Sequence, residues 1–370
     1  MKKIKVLMVM GSTQRAGAET YVMNVIRSID REKFQIDIAV RKGKRGEYDT
    51  EILELGCSIF DLPSYKITNI IGYKKKWSKF FDQHHYDIVH GNLSNSAFLY
   101  LKIAKEHGCA TIVHSHSSSF RGGIIEKKIK KYTSHLAKRS ADYWFACSEI
   151  AAFSHYGEDF KAYKNYYYIP NAIIGGNYRY NFGIRQKIRK QYDISDTCFL
   201  CGHVGSFTVP KNHLFLLEIF KEIKKMRSES RLILIGDGLL KENIKKRAEE
   251  FGILNDIIFT GNVNNVNEYM MAMDLMIFPS LFEGLGIVVI EAQATGLYSI
   301  VSDEVPKETC LTDIVEYKSL NDSAKLWAER VMEHDEIDRI SYNKIICQSD
   351  FNMMTSVKKL ERIYCECIDD

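Results

Sequence analysis

Short apolar runs alternate along the chain with stretches whose apolar positions recur every three to four residues. KVLMVM, QIDIAV, CSIFDL, YDIVHG, ATIVHS, YWFACS and YYYIPN are rich in Val, Ile and aromatic residues and predict strands. Between them, Glu19–Ile29, Tyr48–Leu55, Ala97–Glu106 and Glu126–Arg139 carry the helical period. Strand and helix in alternation predict a parallel sheet covered on both faces. A second series then begins. CFLCGHVG, RLILIGDG, DIIFTGNV, DLMIFPS and YSIVSD predict strands, with helices His213–Met226 and Leu239–Glu250 among them. The break lies near Ile169-Pro170-Asn171-Ala172, ahead of the glycine-rich, polar IIGGNYRYNFG, and a last helix is expected over Met353–Cys367. The pattern predicts two doubly wound α/β domains, each with a crevice at the carboxyl ends of its strands.

Length agrees with this division, since 370 residues exceed what one hydrophobic core usually supports. The apolar and charged shares, 45% and 26%, are those of a soluble globular protein. No stretch reaches the ~18 apolar residues of a membrane span. MKKIKVLMVM is followed at once by polar GSTQRAGAE, which reads as a first buried strand rather than a signal peptide and leads us to expect a cytoplasmic protein. The nine scattered cysteines fit reduced thiols. Cys198 and Cys201 form a C-x-x-C, but on a strand positions three apart face opposite ways, so core thiols are expected. Cys365 and Cys367 lack a second ligand pair, and no metal site is expected.

Charge changes the picture more. Residues 1–175 hold 27 basic against 17 acidic side chains, and the remainder 24 against 30. A basic half suits an anionic partner, nucleic acid or membrane. Lysines interleave with apolar residues in IIGYKKKWSKFF (70–81) and GIIEKKIKKYTSHLAKR (123–139). On a helix Ile125, Ile129, Tyr132 and Leu136 form one stripe with Lys127, Lys128, Lys130 and Lys131 beside it. That face suits an anionic membrane surface, and equally a core stripe with a solvated basic rim. Nucleic acid is disfavoured, because no binding module for it appears.

The densest chemistry is PSLFEGLGIVVIEAQATG, residues 279–296. A strand ends at Pro279-Ser280, a loop carries Glu283-Gly284-Leu285-Gly286, and a helix follows. Glycines let the backbone approach a ligand, and a helix start offers free N–H groups to phosphate. Glu291 on the first turns can accept hydrogen bonds from a ribose diol, and Glu283 on the loop can reach sugar hydroxyls. Acids complementing the helix dipole would account for one glutamate, not for both with the glycines. No D-x-D, a common metal–diphosphate ligand, occurs in the chain. A fixed lysine with helix N-terminal amides can stabilise a leaving diphosphate without metal.

This block resembles the E-x7-E motif of family 4 retaining glycosyltransferases, and the resemblance runs over essentially the whole chain. GHVGSFTVPKNH resembles the opening V-G-R-x-x-x-x-K-N-H of that family's second domain, and LILIGDGLL the G-x-G turn that follows. IIFTGNVNNVNEYMMAMDLMIFPS resembles the segment before the catalytic loop, and HSHSSS, ACSEIAA and YIPNAI resemble first-domain landmarks. The match is to the branch acting in capsular and exopolysaccharide synthesis. It implies the GT-B fold: two Rossmann-like domains facing each other across a cleft, with the C-terminal helix packing back on the first. The domains would be 1–172, joined by 353–370, for the acceptor, and 173–352 for the nucleotide sugar. The resemblance implies that Lys211 contacts the donor diphosphate, Glu291 the ribose and Glu283 the hydroxyls of the transferred sugar. The backbone of Gly284, Leu285, Gly286 and Ile287 would cradle phosphate and sugar, with Gly236, Asp237 and Gly238 beside the nucleotide. His116 would face the sugar from the first domain, His114 being the weaker candidate.

Two positions depart from the family pattern. Ser206 stands where the family has Arg, a neutral hydroxyl in place of a cationic fork on the diphosphate. Ala16 stands where R-G-G-A-E has its first glycine, so QRAGAE keeps only Gly17, and a loop needing positive φ there would be reshaped. Arg15 and Glu19 either touch acceptor or diphosphate or form a solvated helix start. His203 and His213 flank the Lys211 loop and can simply order it. His90 at a strand's carboxyl end is as readily structural as functional.

The resemblance therefore implies a metal-independent retaining hexosyltransferase without cofactor. It would move a hexose or N-acetylhexosamine from a nucleotide sugar, UDP-linked as in that branch, to a lipid-linked or oligosaccharide acceptor for capsule or exopolysaccharide, in the cytoplasm or on the inner membrane face. Two alternatives stay open: a catalytically weak binding or scaffold subunit, motivated by Ser206, and a sugar-nucleotide 2-epimerase or phosphorylase on the same fold. A nicotinamide-binding Rossmann protein is weaker, since neither GSTQRAG nor IGDG gives G-x-G-x-x-G.

Overall fold

The computed structural model describes residues 2–93, 96–116, 124–333 and 337–369; the side chains of residues 67, 124–131 and 369 fall outside the description. The chain divides into two compact units, residues 1–173 with 350–370, and residues 174–349.

In the first unit the strands are β1 Ile4–Met10, β2 Phe34–Arg41, β3 Ile59–Leu62, β4 Ile88–Gly91, β5 Ala110–Ser115, β6 Tyr143–Ala146 and β7 Tyr166–Tyr168. They form one sheet in the order β3-β2-β1-β4-β5-β6-β7, every pairing parallel. The order reverses between β1 and β4, which opens a crevice at their carboxyl ends. Helices α1 Gly17–Ser28, α2 Asp49–Glu54, α3 Ile70–Gln83, α4 Ala97–Glu106, α5 Ile124–Ser140 and α6 Glu149–Tyr156 make the crossovers.

Helix α3 shows how the sequence chooses its faces. Tyr73, Trp77, Phe80 and Phe81, spaced by four, three and one, are buried, while Lys74, Lys75, Lys76 and Lys79 are exposed. The basic segment 70–81 is thus an aromatic core stripe under a lysine rim. Helix α5 behaves differently. Thr133, Ser134 and Ala137 face inward, Leu136 is half-buried and Tyr132 is 67% exposed. The expected stripe therefore does not supply the inner face of this turn; Ile125, Ile129 and Lys127, Lys128, Lys130 and Lys131 lie outside the described side chains.

The second unit contains helix α7 Phe182–Gln191 and strands β8 Phe199–Val204, β9 Ser230–Ile235, β10 Ile257–Gly261, β11 Leu275–Phe278, β12 Ser299–Ser302 and β13 Val315–Lys318. Their order is β10-β9-β8-β11-β12-β13, again parallel, with the reversal between β8 and β11. Helices α8 His213–Met226, α9 Lys241–Glu250, α10 Val266–Ala272, α11 Ile287–Ala294, α12 Ala324–Met332 and α13 Tyr342–Gln348 cover the two faces. Two apolar clusters sandwich this sheet. Cys198 belongs to one and Cys201 to the other, so the C-x-x-C is split between opposite faces as two core thiols.

Helix α14, Met353–Asp369, returns to the first unit. The Ile173 N–H donates to Phe351 O at 2.9 Å and the Met353 N–H to Ile173 O at 2.7 Å, which ties residues 350–352 to this unit ahead of the helix. Glu361 on α14 then accepts from the Asp30 N–H at 2.7 Å.

Candidate functional site

The second unit brings three loops together at the carboxyl ends of β8, β9 and β11. The Gly205 N–H donates to Ile235 O at 2.9 Å, the Phe207 N–H to Asp237 O at 3.0 Å and the Leu240 N–H to Phe207 O at 3.1 Å. The loop after β8 is thereby stitched to the loop after β9. The approach is so close that a Cβ on Gly236, which sits at φ +133°, would come within 2.3 Å of Gly205 O. On the other side of β8, the Leu281 N–H donates to Pro210 O at 2.8 Å, joining the lysine turn to the loop after β11.

That last bond sets the central contact. Lys211 Nζ lies 2.5 Å from Glu283 Oε1, both side chains mostly buried, and 4.7 Å from the Phe278 ring centroid. The two residues expected to hold diphosphate and sugar thus form one ion pair, from loops flanking the strand-order reversal. A lysine ammonium has three protons and a carboxylate two oxygens, so the pair retains donors and an acceptor for a ligand. Directly behind it Gly286 adopts φ +80°, a left-handed turn that aims α11. The first N–H groups of α11, beginning at Ile287, have no intrahelical acceptor and carry the positive end of the helix dipole. Cation, free amides and hydroxyl-binding carboxylate are the groups a sugar diphosphate demands.

Glu291 follows one turn into α11, half-buried. Burial of its carboxyl raises it to about 7, against which the Tyr178 hydroxyl, donating to Oε1 at 2.8 Å, works in the opposite direction. Tyr178 carries no motif: 113 residues separate it from Glu291, and nothing in IIGGNYRYNFG signals the contact. Asp237 is exposed, accepts from the Gly238 N–H at 2.7 Å and pairs with Lys241 at 3.0 Å, which holds its carboxyl below the usual range. Ser206 is exposed and shares a 3.3 Å hydrogen bond with the Thr208 hydroxyl. His203 and His213 lie beneath this surface, their ring centroids 4.6 Å apart. Burial drives both well down, His213 to about 4. His203 Nδ1–H donates to Ile277 O at 2.9 Å, whereas its Nε2 and both His213 nitrogens are buried without a partner among the described residues.

The first unit gathers a second polar cluster around β4 and β5. Tyr364 of α14 reaches His90 Nδ1 at 2.6 Å, His90 Nε2 reaches His114 Nδ1 at 3.2 Å, and His114 Nε2 reaches Ile169 O at 3.1 Å. A carbonyl can only accept, so His114 donates from Nε2 and accepts at Nδ1. His90 must then donate from Nε2 and accept from the tyrosine hydroxyl. One proton pattern satisfies the whole rail with both rings neutral, and burial agrees, lowering His90 to about 3 and His114 well below its ordinary range. His90 is therefore a structural member of this rail.

His116 packs tilted against His114, the ring centroids 3.9 Å apart and the planes at 34°. Its Nε2 lies 2.7 Å from Asn92 Oδ1 and its Nδ1 2.8 Å from Asn171 Oδ1; a neutral ring donates to one of these oxygens, and the other asparagine bonds the ring only with its amide turned to present NH2. Burial lowers His116 to about 4. Sequence spacing did not single out Asn92. Asn171 was visible only as part of YIPNAI. Near β1, Ala16 is extended at φ −151°, a conformation alanine adopts without strain, and Gly17 begins α1 with open space around it. The Arg15 guanidinium lies 5.5 Å over the Tyr48 ring, and Glu19 accepts from Ser12 at 3.3 Å, a local pattern consistent with ordering a helix start. Among the described residues no three potential metal ligands converge.

Residues 184–311 match the family model for glycosyl transferases group 1, and residues 15–174 match that for glycosyltransferase family 4. The chain is 29% identical to the putative glycosyltransferase EpsF of Bacillus subtilis, covering 88% of this chain and 86% of the relative. It is 24% identical to the capsular polysaccharide biosynthesis glycosyltransferase CapH of Staphylococcus aureus, over 98% of each. It is 23% identical to the UDP-Gal:α-D-GlcNAc-diphosphoundecaprenol α-1,3-galactosyltransferase of Escherichia coli, over 99% and 98%. Among solved structures, Anabaena HepE in complex with UDP and glucose superposes with a TM-score of 0.81 at 17% identity, over 98% of this chain and 99% of that one.

Proposed function

Because the chain belongs to the family 4 glycosyltransferases of the GT-B fold, in the branch that builds capsule and exopolysaccharide, we propose that this hexosyltransferase takes its sugar from a UDP-linked donor. In this reading it retains the anomeric configuration and passes a hexose or N-acetylhexosamine to a lipid-linked glycan precursor. The observation that carries the reading is the Lys211–Glu283 pair set before the glycine-opened start of α11. Lys211 and the α11 amides receive the charge that develops on the leaving diphosphate, as a fixed cation and dipoles that need no reorganisation. Glu283 holds hydroxyls of the transferred sugar and Glu291 the ribose diol. Front-face displacement assisted by the leaving phosphate gives retention without a carboxylate nucleophile, and no metal is required.

The choice of UDP rests on the related structure solved with UDP and glucose, and the lipid-linked acceptor on the related galactosyltransferase. Tyr132, Ile150 and Phe153, exposed on α5 and α6, together with the lysines of α3, suit contact with an anionic membrane surface where such an acceptor resides. Among the described residues no helix is long and apolar enough to cross a membrane.

Ser206 favours a second reading, a binding or scaffold subunit with weakened donor affinity. A thermal-shift screen of UDP, GDP, ADP and their sugar conjugates with EDTA present separates the two. A shift with one nucleotide that Lys211→Ala or Glu291→Ala abolishes supports the enzyme. No shift at millimolar nucleotide overturns it in favour of the scaffold. Interconversion of a UDP-sugar without acceptor points instead to an epimerase.

A further inference from the structure

Tyr178 lies in the 3-10 turn Gly175–Tyr178, far in sequence from every motif of the donor site, yet its hydroxyl sits 2.8 Å from Glu291 Oε1. The contact is built. Buried Asn343 of α13 donates from Nδ2 to both Gly175 O and Ala294 O, each at 2.9 Å, pinning the turn to the last residue of α11. Asn267 of α10 holds the turn's other end through Asn177 O at 2.6 Å. The Tyr178 ring packs on the apolar cluster beneath. Two asparagines from two helices therefore fix a tyrosine whose hydroxyl meets one oxygen of Glu291.

We infer that Tyr178 is a positioning residue for the nucleotide: it takes up one carboxylate oxygen of Glu291 and so presents the other to the ribose diol. The inference rests on the reading of this site as the donor site. A carboxylate that must accept from two ribose hydroxyls binds best when ionised and held in one rotamer, and a hydrogen bond from a neutral donor favours that form. Burial opposes it, with Glu291 raised to about 7. The other ionisable groups on the elements packed against α11 are Glu268 and Tyr269 on α10, Tyr342, Lys344 and Cys347 on α13, and Lys307 and Glu308 on the 3-10 turn after β12. The balance at Glu291 is set by burial and the Tyr178 hydroxyl rather than by these groups.

The experiment is calorimetric titration with UDP, from pH 6 to pH 9, of the full chain, Tyr178→Phe and Glu291→Gln. Wild-type affinity is expected to rise with pH through about 7, because binding selects the carboxylate. Tyr178→Phe keeps the ring and loses the hydroxyl, so UDP should bind on the order of tenfold more weakly at pH 7, as for a lost hydrogen bond to a charged group. Its rise should move to higher pH, so that the deficit narrows by pH 9. Glu291→Gln should bind weakly with a flat profile. Equal affinities of wild type and Tyr178→Phe at every pH overturn the inference and leave the donor site standing, as does a Tyr178→Phe deficit that stays constant across pH. A wild type that binds no UDP or GDP overturns both. Unliganded melting of the variants within about two degrees of wild type excludes a folding cause.

Discussion

Each unit places histidines and other polar groups at the carboxyl ends of its central strands, and the two clusters are opposites in what they leave unsatisfied. Around β4 and β5, Tyr364, His90 and His114 run into a carbonyl with every ring nitrogen paired, and each His116 nitrogen lies within hydrogen-bond distance of an asparagine amide. Around β8 and β11, the Lys211–Glu283 pair keeps spare donors and a spare oxygen, and three histidine nitrogens are buried without partners among the described residues. A fully satisfied buried network rigidifies; an under-satisfied one with charge is where a ligand gains most. In the proposed reading the first cluster holds shape and the second receives the substrate.

Substitution at Lys211 should break this contrast most strongly. Lys211→Ala removes the cation proposed to face the diphosphate, and on that proposal kcat/KM should fall by about 10²–10³, the scale of deleting one fixed electrostatic donor. It also leaves Glu283, 9% exposed, without its counter-charge, so stability should suffer as well. Lys211→Ala/Glu283→Gln relieves that second effect and should recover melting temperature without recovering transfer, measured with the UDP-sugar that gives the largest thermal shift. Recovery of activity in the double variant would place the diphosphate elsewhere.

In the other cluster, His114→Phe should show the reverse profile. Ile169 O and His90 Nε2–H would lose their partners in a buried site, which costs about 1–3 kcal/mol. Melting should fall by several degrees, by roughly 2–4 °C per kcal/mol for a unit of this size. Amide exchange should quicken in peptides of residues 1–173 and not of 174–349, with UDP affinity within twofold. A large loss of UDP affinity at unchanged stability would show that the rail does more than hold shape.

How far this contrast can be read from sequence follows from what each cluster depends on. The donor loops are contiguous in the chain: Glu283, Gly286 and Glu291 lie within nine residues, and Lys211 in one turn, so local spacing exposes them. Their contact with Tyr178 does not appear, since it depends on Asn343 and Asn267 folding back over α11. In the first unit His114 and His116 were visible as HSH, but the surroundings of their nitrogens depend on Asn92, Asn171 and Tyr364, which only the tertiary fold assembles. The strands behave alike. Twelve announce themselves as apolar runs because parallel strands are buried on both faces. The thirteenth, β13, is an edge strand reading VEYK with one fully buried position, so its pattern is too short and charged to stand out.

Acid should separate the units further. His90, His114 and His116 have folded values below the ordinary 6.5, so they favour the neutral form, and the stability they contribute is present above pH 6.5 and lost as pH falls toward about 4 and 3. In the second unit His203 and His213 act the same way, but Glu291, raised to about 7, acts oppositely and adds stability as pH falls from 7 toward 4.5. Each net proton changes stability by about 1.4 kcal/mol per pH unit at most. Allowing for solvent around half-buried His116, the first unit should lose about one to two kcal/mol more than the second between pH 6.5 and 5.5. Urea unfolding followed by exchange on peptides of each unit measures this. Equal losses would mean that the three histidines relax toward water and take up protons without unfolding the rail.

Ser206 gives the smallest and most informative test of the proposed donor site, since the family resemblance implies an arginine where this chain has a neutral hydroxyl. The residue is exposed, its hydroxyl shares a 3.3 Å hydrogen bond with that of Thr208, and it lies five residues before Lys211 on the same loop. An exposed position accepts a longer side chain without overpacking, so Ser206→Arg should leave melting within about half a kilocalorie of wild type. A guanidinium can form a two-pronged contact with a phosphate that a hydroxyl cannot. Much of that gain is offset by the entropy of ordering an exposed side chain. UDP should therefore bind about three- to tenfold more tightly, roughly 1 kcal/mol, with an added dependence on salt. Tighter UDP with unchanged uridine affinity would place the diphosphate beside residue 206 and explain a weaker donor site in this chain. Unchanged UDP affinity would mean that Lys211 and the α11 amides already satisfy the phosphates, and that Ser206 is no deficit at all.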